Sequence, residues 1–340
     1  MFNNKPGFRI SLISFLLLLL FFVSQSYSQS HVKIIFDTDM WGDCDDVGAL
    51  AVLNALCDLG EAEILAVVTN HRIPSNASAG AVDAINTYYG RPDVPIGTYK
   101  GDPLLFRSKR SPFSAILKDS FPNDAELNDL MPDALDVYRM ILSSQPDSSV
   151  VICSVGALSN LSDLLNSGPD QHSKLKGVDL VRRKVNRLVI MGGEYPRSSR
   201  PEYNTRLDPA STATVAIHWP GEIIWQGFEV GYAIYTGAEL KQAPPENPVR
   251  RAYELRPFRD LKAIDQGKPS HDQAAVLIAV RGVEPELWKL SPPGYVVVDS
   301  EGNTEWRPRP EGNHHYVSIK PHPTRLEKII GELMSVPPKK

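Results

Sequence analysis

The chain has 340 residues, a formal net charge of −4 and three cysteines. Proteins that bind nucleic acid usually present a basic patch, so this mixed and slightly acidic charge argues against a nucleic-acid partner. Cys44, Cys57 and Cys153 are too few for a disulfide scaffold, and they form no Cys/His motif of the kind that binds zinc. The length is sufficient for one α/β domain with a large core.

The first 28 residues have the layout of a secretory signal peptide. Lys5 and Arg9 precede an unbroken apolar run over Ile10–Val23, and small and polar residues follow it. This order predicts export and cleavage after Ser28. An uncleaved membrane anchor is the alternative, although the run is short for a bilayer span of about 20 residues. We therefore predict a secreted or periplasmic protein, without stable membrane insertion after cleavage, and a single domain over residues 29–340.

Short apolar runs alternate with helical patterns along the rest of the chain. Continuous β-branched runs predict five buried strands, which are VKIIFDTD from Val32, AEILAVVTN from Ala62, SSVVICSVG from Ser148, NRLVIMGG from Asn186 and EIIWQGFEVG from Glu222. Helices are predicted at Asp46–Leu59, Ala77–Tyr89, Pro132–Ser144, Leu158–Asn166, Pro209–His218, Asp272–Val280 and Thr324–Ser335. The alternation predicts an α/β fold with a mostly parallel, open, Rossmann-like sheet and helices on both faces. The stretches Pro244–Pro248 and Pro292–Pro310 are expected to be surface loops or a small appended subregion.

Five aspartates follow the first predicted strand, at the edge of the sheet where ligands bind in this fold class. They are Asp37, Asp39, Asp43, Asp45 and Asp46. Like charges this close raise the cost of ionising one another, so the cluster predicts a positive partner such as a metal cation.

Two other motifs fit this segment poorly. An EF-hand loop counted from Asp37 would have Trp41 at its fifth position and Gly48 at its twelfth, which loses a ligand and the bidentate Glu. An aspartate-nucleophile phosphatase motif, Asp-x-Asp-x-Thr/Val, would place Trp41 at its last position and leave Asp45 and Asp46 without a role. We reject the first interpretation, and the second is weak.

Four segments in chain order resemble the nucleoside hydrolase family. DTDMWGDCDDVGALAVL, which is Asp37–Leu53, is similar to the family's Asp-Thr-Asp strand end, turn and Asp-Asp helix start. Similar matches are VGALSNL at Val155–Leu161, MGG at Met191–Gly193 with PEYNTRLDPASTATV after it, and HDQAAV at His271–Val276. The resemblance implies the open α/β fold and the calcium-dependent release of a free base and ribose from a small-molecule ribonucleoside.

The resemblance also implies the ligands of the metal. Calcium takes six to eight hard oxygen ligands, and the resemblance assigns it the side chains of Asp39, Asp46 and Asp272 and the carbonyl of Val155. The metal would lower the pKa of the attacking water, and Asp39 would accept its proton as general base. His271 would protonate the departing base, since imidazole titrates near neutral pH.

The sugar contacts follow from the same resemblance. Cleavage of an N-glycosidic bond develops positive charge on the sugar, which an anionic pocket stabilises. Asp45 would hold a ribose hydroxyl, and Glu202 and Asn204 would contact the sugar from the other side. Asn70 is the candidate for the family's diol-binding Asn after the second strand.

The first loop departs from the family pattern. MWGDC replaces a tight Pro-Gly turn, so Asp39 and Asp45 lie further apart, and Trp41 is expected near the sugar or the base. Asp37 is interpreted as a residue that orients the turn, and Asp43 has no predicted role. Two alternatives to the ribonucleoside hydrolase remain, a calcium-dependent sugar- or nucleoside-binding protein with reduced or no catalysis and a hydrolase of another riboside. A homo-oligomer is left open.

Overall fold

The computed structural model describes Met1 and residues 31–70, 72, 75–102, 104 and 113–339. The predicted signal peptide lies outside these residues apart from Met1, so it stays a prediction. The described residues from His31 onward belong to one compact unit. Among the described helices, none has both the length and the apolar character that a membrane span requires.

A ten-stranded sheet forms the centre of the fold, and all five predicted strands are part of it. In chain order the strands are β1 (Val32–Thr38), β2 (Ala62–Thr69), β3 (Ile96–Thr98), β4 (Val150–Ser154), β5 (Val185–Met191), β6 (Glu222–Gln226), β7 (Tyr235–Thr236), β8 (Pro257–Phe258), β9 (Leu261–Lys262), β10 (Lys268–Pro269), β11 (Trp288–Leu290), β12 (Gly294–Val298), β13 (Thr304–Pro308) and β14 (His314–Ile319). Strands β7 and β10, and strands β8 and β9, form two small separate sheets.

The order of the large sheet is β13-β12-β14-β6-β5-β4-β1-β2-β3, and β11 pairs with β14. Strands β1 to β6 thus have the 3-2-1-4-5-6 order of a doubly wound fold, and their pairings are all parallel. Strand β14 joins β6 in parallel, whereas β11, β12 and β13 pair antiparallel. The α/β class and the mostly parallel open sheet are therefore confirmed.

The seven predicted helices are present, with ends that differ by at most two residues. The described α-helices are α1 (Asp45–Asp58), α2 (Ala77–Tyr88), α3 (Phe113–Ser120), α4 (Ala134–Ser144), α5 (Ser159–Asn166), α6 (Gly177–Lys184), α7 (Tyr203–Leu207), α8 (Pro209–His218), α9 (Phe228–Tyr232), α10 (Pro248–Leu255), α11 (Ala263–Gln266), α12 (His271–Arg281) and α13 (Thr324–Ser335). A 3₁₀-helix covers Ala238–Gln242.

Helices cover both faces of the sheet. Successive side chains of a strand point to opposite faces, and in β1 Ile34 and Phe36 enter one apolar cluster whereas Ile35 enters another. The first cluster includes apolar residues of α1 and α12, and the second includes those of α4 and α5. Because both faces are covered, all three side chains are fully buried and the strand is a continuous apolar run.

Two sequence predictions need correction. The stretch Pro292–Pro310, expected to be surface loops or a small appended subregion, contains strands β12 and β13, which extend the main sheet. Pro308 is the last residue of β13, the outermost strand, where a proline removes no interior ladder bond. The strand predicted through EIIWQGFEVG ends at Gln226, because Gly227 starts a turn into α9 and Glu229 lies in the first turn of that helix, where the dipole favours an acid.

Candidate active site

A cavity of about 420 Å³ lies at the carboxyl ends of the central strands. Asp39 follows β1, Val155 follows β4 and Met191 ends β5, so three neighbouring strands each deliver a lining residue. Every predicted site residue except Asn70 lines this cavity, namely Asp39, Asp45, Asp46, Val155, Glu202, Asn204, His271 and Asp272. Trp41 is also a lining residue, as the loop sequence suggested.

The loop before α1 fixes Asp46 at the start of that helix. Its Oδ1 accepts a hydrogen bond from the Thr38 hydroxyl and another from the Met40 backbone N–H at 3.1 Å. Met40 has a φ of 44° and Gly42 a φ of 73°, so the chain turns tightly here. The helix dipole also favours a negative charge at this position. Asp46 is therefore held in place by local structure alone.

Burial and mutual repulsion raise the pKa values of several carboxyls in the cavity. Burial, and then the charge of Asp46, raise the pKa of Asp39 well above its ordinary value. Burial, followed by the charges of Asp45 and Asp46, does the same to the pKa of Asp272. Burial and the charge of Asp45 raise the pKa of Asp46 to about 7. These groups lack enough positive charge around them, which a bound divalent cation would supply.

Among the described residues, one acidic group has the geometry of a metal site. Asp45, Asp46 and Asp272 each offer an oxygen atom, and these atoms lie within 4.8 Å of one another. All three side chains are buried, and carboxylate oxygens are the hard ligands that Ca²⁺ prefers. Asp46 and Asp272 also belong to the predicted ligand set. The third member of the group is Asp45, whereas the prediction named Asp39.

Arg256 and Lys268, two basic residues that the sequence analysis missed, form ion pairs with the aspartates of the loop. Arg256 donates through Nε and Nη2 to the two oxygens of Asp43, at 3.1 and 3.0 Å. Lys268 Nζ lies 3.0 Å from Asp43 and 3.1 Å from Asp45. Burial alone would raise the pKa of Asp43, but the charge of Lys268 and the bonds from Arg256 outweigh it and hold that pKa below its ordinary range. No local pattern connects these distant residues, so only the tertiary structure reveals them.

Asp37 does not line the cavity, and its side chain forms a buried hydrogen-bond network with three residues of other segments. Its carboxylate accepts hydrogen bonds from the Tyr138 hydroxyl at 2.9 Å and from the side-chain amides of Asn70 and Asn160, each at 3.3 Å. Burial raises the pKa of Asp37 to about 7 despite these bonds. Asn70 also donates to the carbonyl of Ala157 at 3.0 Å. The structure thus places Asn70 in this interior network and does not bring it to the cavity.

Glu202 and Asn204 form the opposite wall. Glu202 caps α7, and its Oε2 accepts the backbone N–H groups of Asn204 at 2.9 Å and Thr205 at 3.2 Å. Burial raises the pKa of Glu202 to about 7, although the backbone bonds oppose this shift. The side-chain amide of Asn204 donates to the carbonyl of Val155 at 3.0 Å, which connects a predicted sugar contact with a predicted metal ligand.

An aromatic wall closes the cavity on the side of α9. Phe228 stacks on the His271 ring with centroids 4.8 Å apart, and Tyr232 stacks on Phe228 at 5.4 Å. Burial, and then the charge of Lys268, lower the pKa of His271 to about 3. The ring is therefore neutral at neutral pH, in contrast to the expectation that it titrates there. Its role as a proton donor stays a prediction.

Two arginines missed by the sequence analysis also line the cavity and are exposed. Arg200 lies over the Phe228 ring at 5.9 Å, and Arg206 lies over the Tyr203 ring at 5.1 Å. Both come from the segment between β5 and α8, which the sequence analysis examined only for its Glu and Asn. The cavity therefore combines an acidic interior with basic groups at its exposed side.

Residues 34–319 match the family model of the inosine-uridine preferring nucleoside hydrolases. The chain belongs to this family. The match includes the aspartate loop, the segment with Glu202 and Asn204, and the start of α12, so the resemblance inferred from four short segments is confirmed over most of the chain.

Members and structural neighbours of the nucleoside hydrolase fold are distant from this chain. An uncharacterised protein of Schizosaccharomyces pombe is 23% identical over 274 residues, which is 74% of this chain and 80% of that protein. The plant nucleoside hydrolase PpNRh1 has a TM-score of 0.65 and 19% identity, and the alignment covers 90% of this chain and 99% of the other. The type III effector XopQ, solved with adenosine diphosphate ribose, has a TM-score of 0.66 and 17% identity, with 90% and 92% covered. At these identities the similarity shows the fold.

Proposed function

We propose that this nucleoside hydrolase family member uses Ca²⁺ to hydrolyse the N-glycosidic bond of a ribonucleoside, and that the products are a free base and ribose. The observation that carries the proposal is the buried group of Asp45, Asp46 and Asp272 in the wall of an open cavity. The cavity volume of about 420 Å³ lies in the range of small-molecule sites.

The donor set fits a calcium ion. Asp46 and Asp272 would hold it, together with Asp45 or Asp39 and the carbonyl of Val155. All of these donors are oxygen atoms, and the raised pKa values of Asp46 and Asp272 indicate a local excess of negative charge. When bound, the ion would neutralise the carboxylates and polarise the attacking water.

The reaction adds water across the bond between the sugar C1′ and the base nitrogen. Asp39 lines the cavity, and its carboxylate would accept one proton of the water as the oxygen attacks C1′. The electron pair of the broken bond goes to the base nitrogen, which takes up a proton. His271, which also lines the cavity, is the proposed donor, and this role requires its imidazolium form, which the substrate complex would have to stabilise because burial lowers the pKa of the free ring to about 3.

The remaining residues bind the sugar and stabilise its charge. Seven acidic side chains line the cavity, which are Asp39, Asp43, Asp45, Asp46, Glu194, Glu202 and Asp272. Asp43 and Asp45 are paired with Arg256 and Lys268, and the acids without a basic partner would favour the positive charge that develops on the sugar as the bond breaks. Asp45, Glu202 and Asn204 are the proposed contacts of the ribose hydroxyls.

The test is a release assay for reducing sugar with a panel of purine and pyrimidine nucleosides, including inosine and uridine. We expect ribose release with Ca²⁺, loss of activity with a chelator and recovery after Ca²⁺ is added back. Asp39→Ala should abolish turnover. If no panel member yields reducing sugar in the presence of Ca²⁺, the hydrolase proposal is refuted.

A second candidate is a calcium-dependent protein that binds a sugar, nucleoside or other riboside with little or no turnover. It is supported by the interior position of Asn70 and by the ion pair that Asp45 makes with Lys268. The structural similarity to XopQ, solved with adenosine diphosphate ribose, and the guanidinium groups of Arg200 and Arg206 favour a ligand with phosphate groups. Calorimetric binding of adenosine diphosphate ribose with Ca²⁺, without release of free adenine, would support this candidate.

We also propose that the protein is exported. The basic start, the apolar run Ile10–Val23 and the small residues up to Ser28 support this proposal. N-terminal sequencing of the protein from the medium or the periplasm should begin at Gln29. Recovery of the intact chain only from the cytoplasm would contradict it.

A further inference from the structure

Two acids of the aspartate loop, Asp43 and Asp45, form an ionic cluster with two buried bases, Arg256 and Lys268. Asp43 receives two bonds from Arg256, and Lys268 bridges Asp43 and Asp45. Arg256 is 5% exposed and Lys268 is 2% exposed, so neither cation is a surface group that happens to lie near an acid. The formal charges of the four side chains sum to zero, which leaves Asp39, Asp46 and Asp272 as the acids without a basic partner in this cluster.

Lys268 is fully engaged by the protein. An ammonium group has three N–H donors. Its nitrogen lies 3.0 Å from Asp43 Oδ1, 3.1 Å from Asp45 Oδ1 and 2.8 Å from the carbonyl of Pro269. Three partners for three protons fix the direction of the group, and they leave it without a donor for a ligand. Lys268 therefore acts on the site through Asp45.

The ionic cluster anchors the loop that carries Asp43. Within MWGDC the Asp43 carboxylate accepts the backbone N–H of Cys44 at 2.7 Å, and the Asp43 backbone N–H donates to the Trp41 carbonyl at 2.8 Å. Arg256 and Lys268 are buried whereas Asp43 is partly exposed, and a buried cation without a counter-charge costs several kcal/mol, so Asp43 is the acid that makes their burial tolerable. Arg256 directly follows α10 and Lys268 lies in β10, far from the loop in sequence, and both tie the loop to the rest of the fold.

We propose that Lys268 is a positioning residue for the calcium site, because it fixes the Asp45 carboxylate beside Asp46 and Asp272 before the cation binds. The proposal rests on the proposed function, since it concerns the same site. Arg256 supports Lys268 by holding Asp43, the second carboxylate of the bridge. The longer loop and the distant lysine thus act together, because the Lys268 ammonium group in β10 holds the extra residues of the loop in place.

Calcium titration by calorimetry tests the proposal without any need for turnover. In Lys268→Met we expect Ca²⁺ to bind about tenfold more weakly, which is the usual effect of losing a group that orients a metal ligand. Lys268→Arg keeps the charge and should recover part of this loss. Lys241→Met is the matched control, because Lys241 forms an exposed ion pair with Asp265 at 3.1 Å and should leave the Ca²⁺ affinity unchanged.

Two results of the Ca²⁺ titration would contradict the proposal. If Lys268→Met is less stable but binds Ca²⁺ as the unaltered protein does, the ion pair is only structural and the proposal fails. Tighter binding would also overturn it, because Lys268 would then compete with the cation for Asp45. Should Lys268→Met not fold, Asp43→Ala removes one partner of the lysine and should weaken Ca²⁺ binding in the same direction.

Turnover gives a second readout and separates the two proposals. Lys268→Met should lower kcat/KM, and raising the Ca²⁺ concentration should restore much of it. An unaltered protein that binds Ca²⁺ but hydrolyses no nucleoside refutes the proposed function and leaves the titration as a full test of Lys268. An unaltered protein that binds no Ca²⁺ refutes both.

Discussion

The side-chain amide of Asn204 donates a hydrogen bond to the backbone carbonyl of Val155 at 3.0 Å. The two residues belong to different elements of the fold, because Val155 follows β4 and Asn204 lies in α7. A carbonyl oxygen has two lone pairs, so Val155 can accept this bond and still face a cation. One hydrogen bond therefore connects the proposed sugar wall with the proposed metal site.

Asn204→Ala should weaken both functions of the cavity. The substitution removes the amide's hydrogen bonds to the carbonyls of Val155 and Met191. Loss of the Val155 bond, about 1 kcal/mol, predicts a Ca²⁺ affinity several times lower, and the missing sugar contact predicts a higher KM. Calcium calorimetry and steady-state kinetics measure the two effects. Asn303→Ala is the control, because Asn303 bonds to Asp299 on the exposed surface. Unchanged Ca²⁺ binding in Asn204→Ala would show that the carbonyl needs no support from this amide.

Asp272→Asn should remove the metal function most directly. The substitution keeps the size of the side chain but takes one negative charge from the group of Asp45, Asp46 and Asp272. Since a cation contributes several kcal/mol to the stabilisation of charge during the reaction, we expect turnover to fall by more than about a hundredfold. Calcium should also no longer raise the melting temperature. A variant that keeps its calcium-dependent stabilisation would exclude Asp272 as a ligand.

Phe228→Ala should impair binding of the base. The ring stacks on His271 at 4.8 Å and lines the cavity, so its loss removes an aromatic contact of about 1 kcal/mol and predicts a KM that is several times higher. Tyr232→Ala is the matched control, since Tyr232 stacks on the Phe228 ring but is 53% exposed and does not line the cavity. Equal effects of the two substitutions would assign Phe228 a packing role only.

Asp37→Ala should reduce stability without acting on the cavity directly. It would leave the buried donors of Tyr138 and Asn160 without their acceptor, whereas the Asn70 amide keeps its bond to the Ala157 carbonyl, and each unpaired buried donor costs about 1 to 3 kcal/mol. We expect the free energy of unfolding to fall by about 2 to 6 kcal/mol in urea titrations. Asp179→Ala breaks an exposed ion pair with Arg182 and should change the free energy by less than about 1 kcal/mol.

Glu229 should make the protein less stable as the pH rises. Burial raises its pKa from the ordinary 4.5 to about 7, so the folded state binds the proton more tightly than the unfolded state. The stability that comes from this proton is complete below pH 4.5 and is lost as the pH rises through about 7.

Glu229→Gln stays neutral and should be more stable than the unaltered protein at pH 8 by about 1 to 2 kcal/mol, with no difference at pH 4. Urea titrations at the two pH values measure this difference. Glu222→Gln, at an exposed position, is the control. A difference that is the same at both pH values would assign the effect to packing.

Local patterns were sufficient to predict five of the ten strands of the large sheet, which are β1, β2, β4, β5 and β6. The continuous apolar runs of β1 and β4 indicate strands buried on both faces, and the ends of the predicted helices follow from their periodicity. The strands β12 and β13 were missed because prolines dominate the surrounding sequence. At the edge of a sheet proline is tolerated, so composition alone is a poor guide there.

The candidate site was predictable where it lies within short motifs. Asp39, Asp45, Asp46 and Asp272 belong to segments that resemble the family, and all four line the cavity. Lys268 was not predictable, because its partners lie in a distant segment and an isolated lysine has no local signal. Asn70 shows the reverse case, since its place after β2 suggested a ligand contact and the fold uses its amide in the interior network.

Helix α1 carries Asp45 and Asp46 near the start of the chain, α12 carries Asp272 near its end, and the two helices pack against each other. A polypeptide still emerging from the ribosome, or one cut short before the last quarter, has the first two carboxylates without the third. The three carboxylates can therefore meet only after the segment that carries Asp272 has been synthesised and has packed against α1.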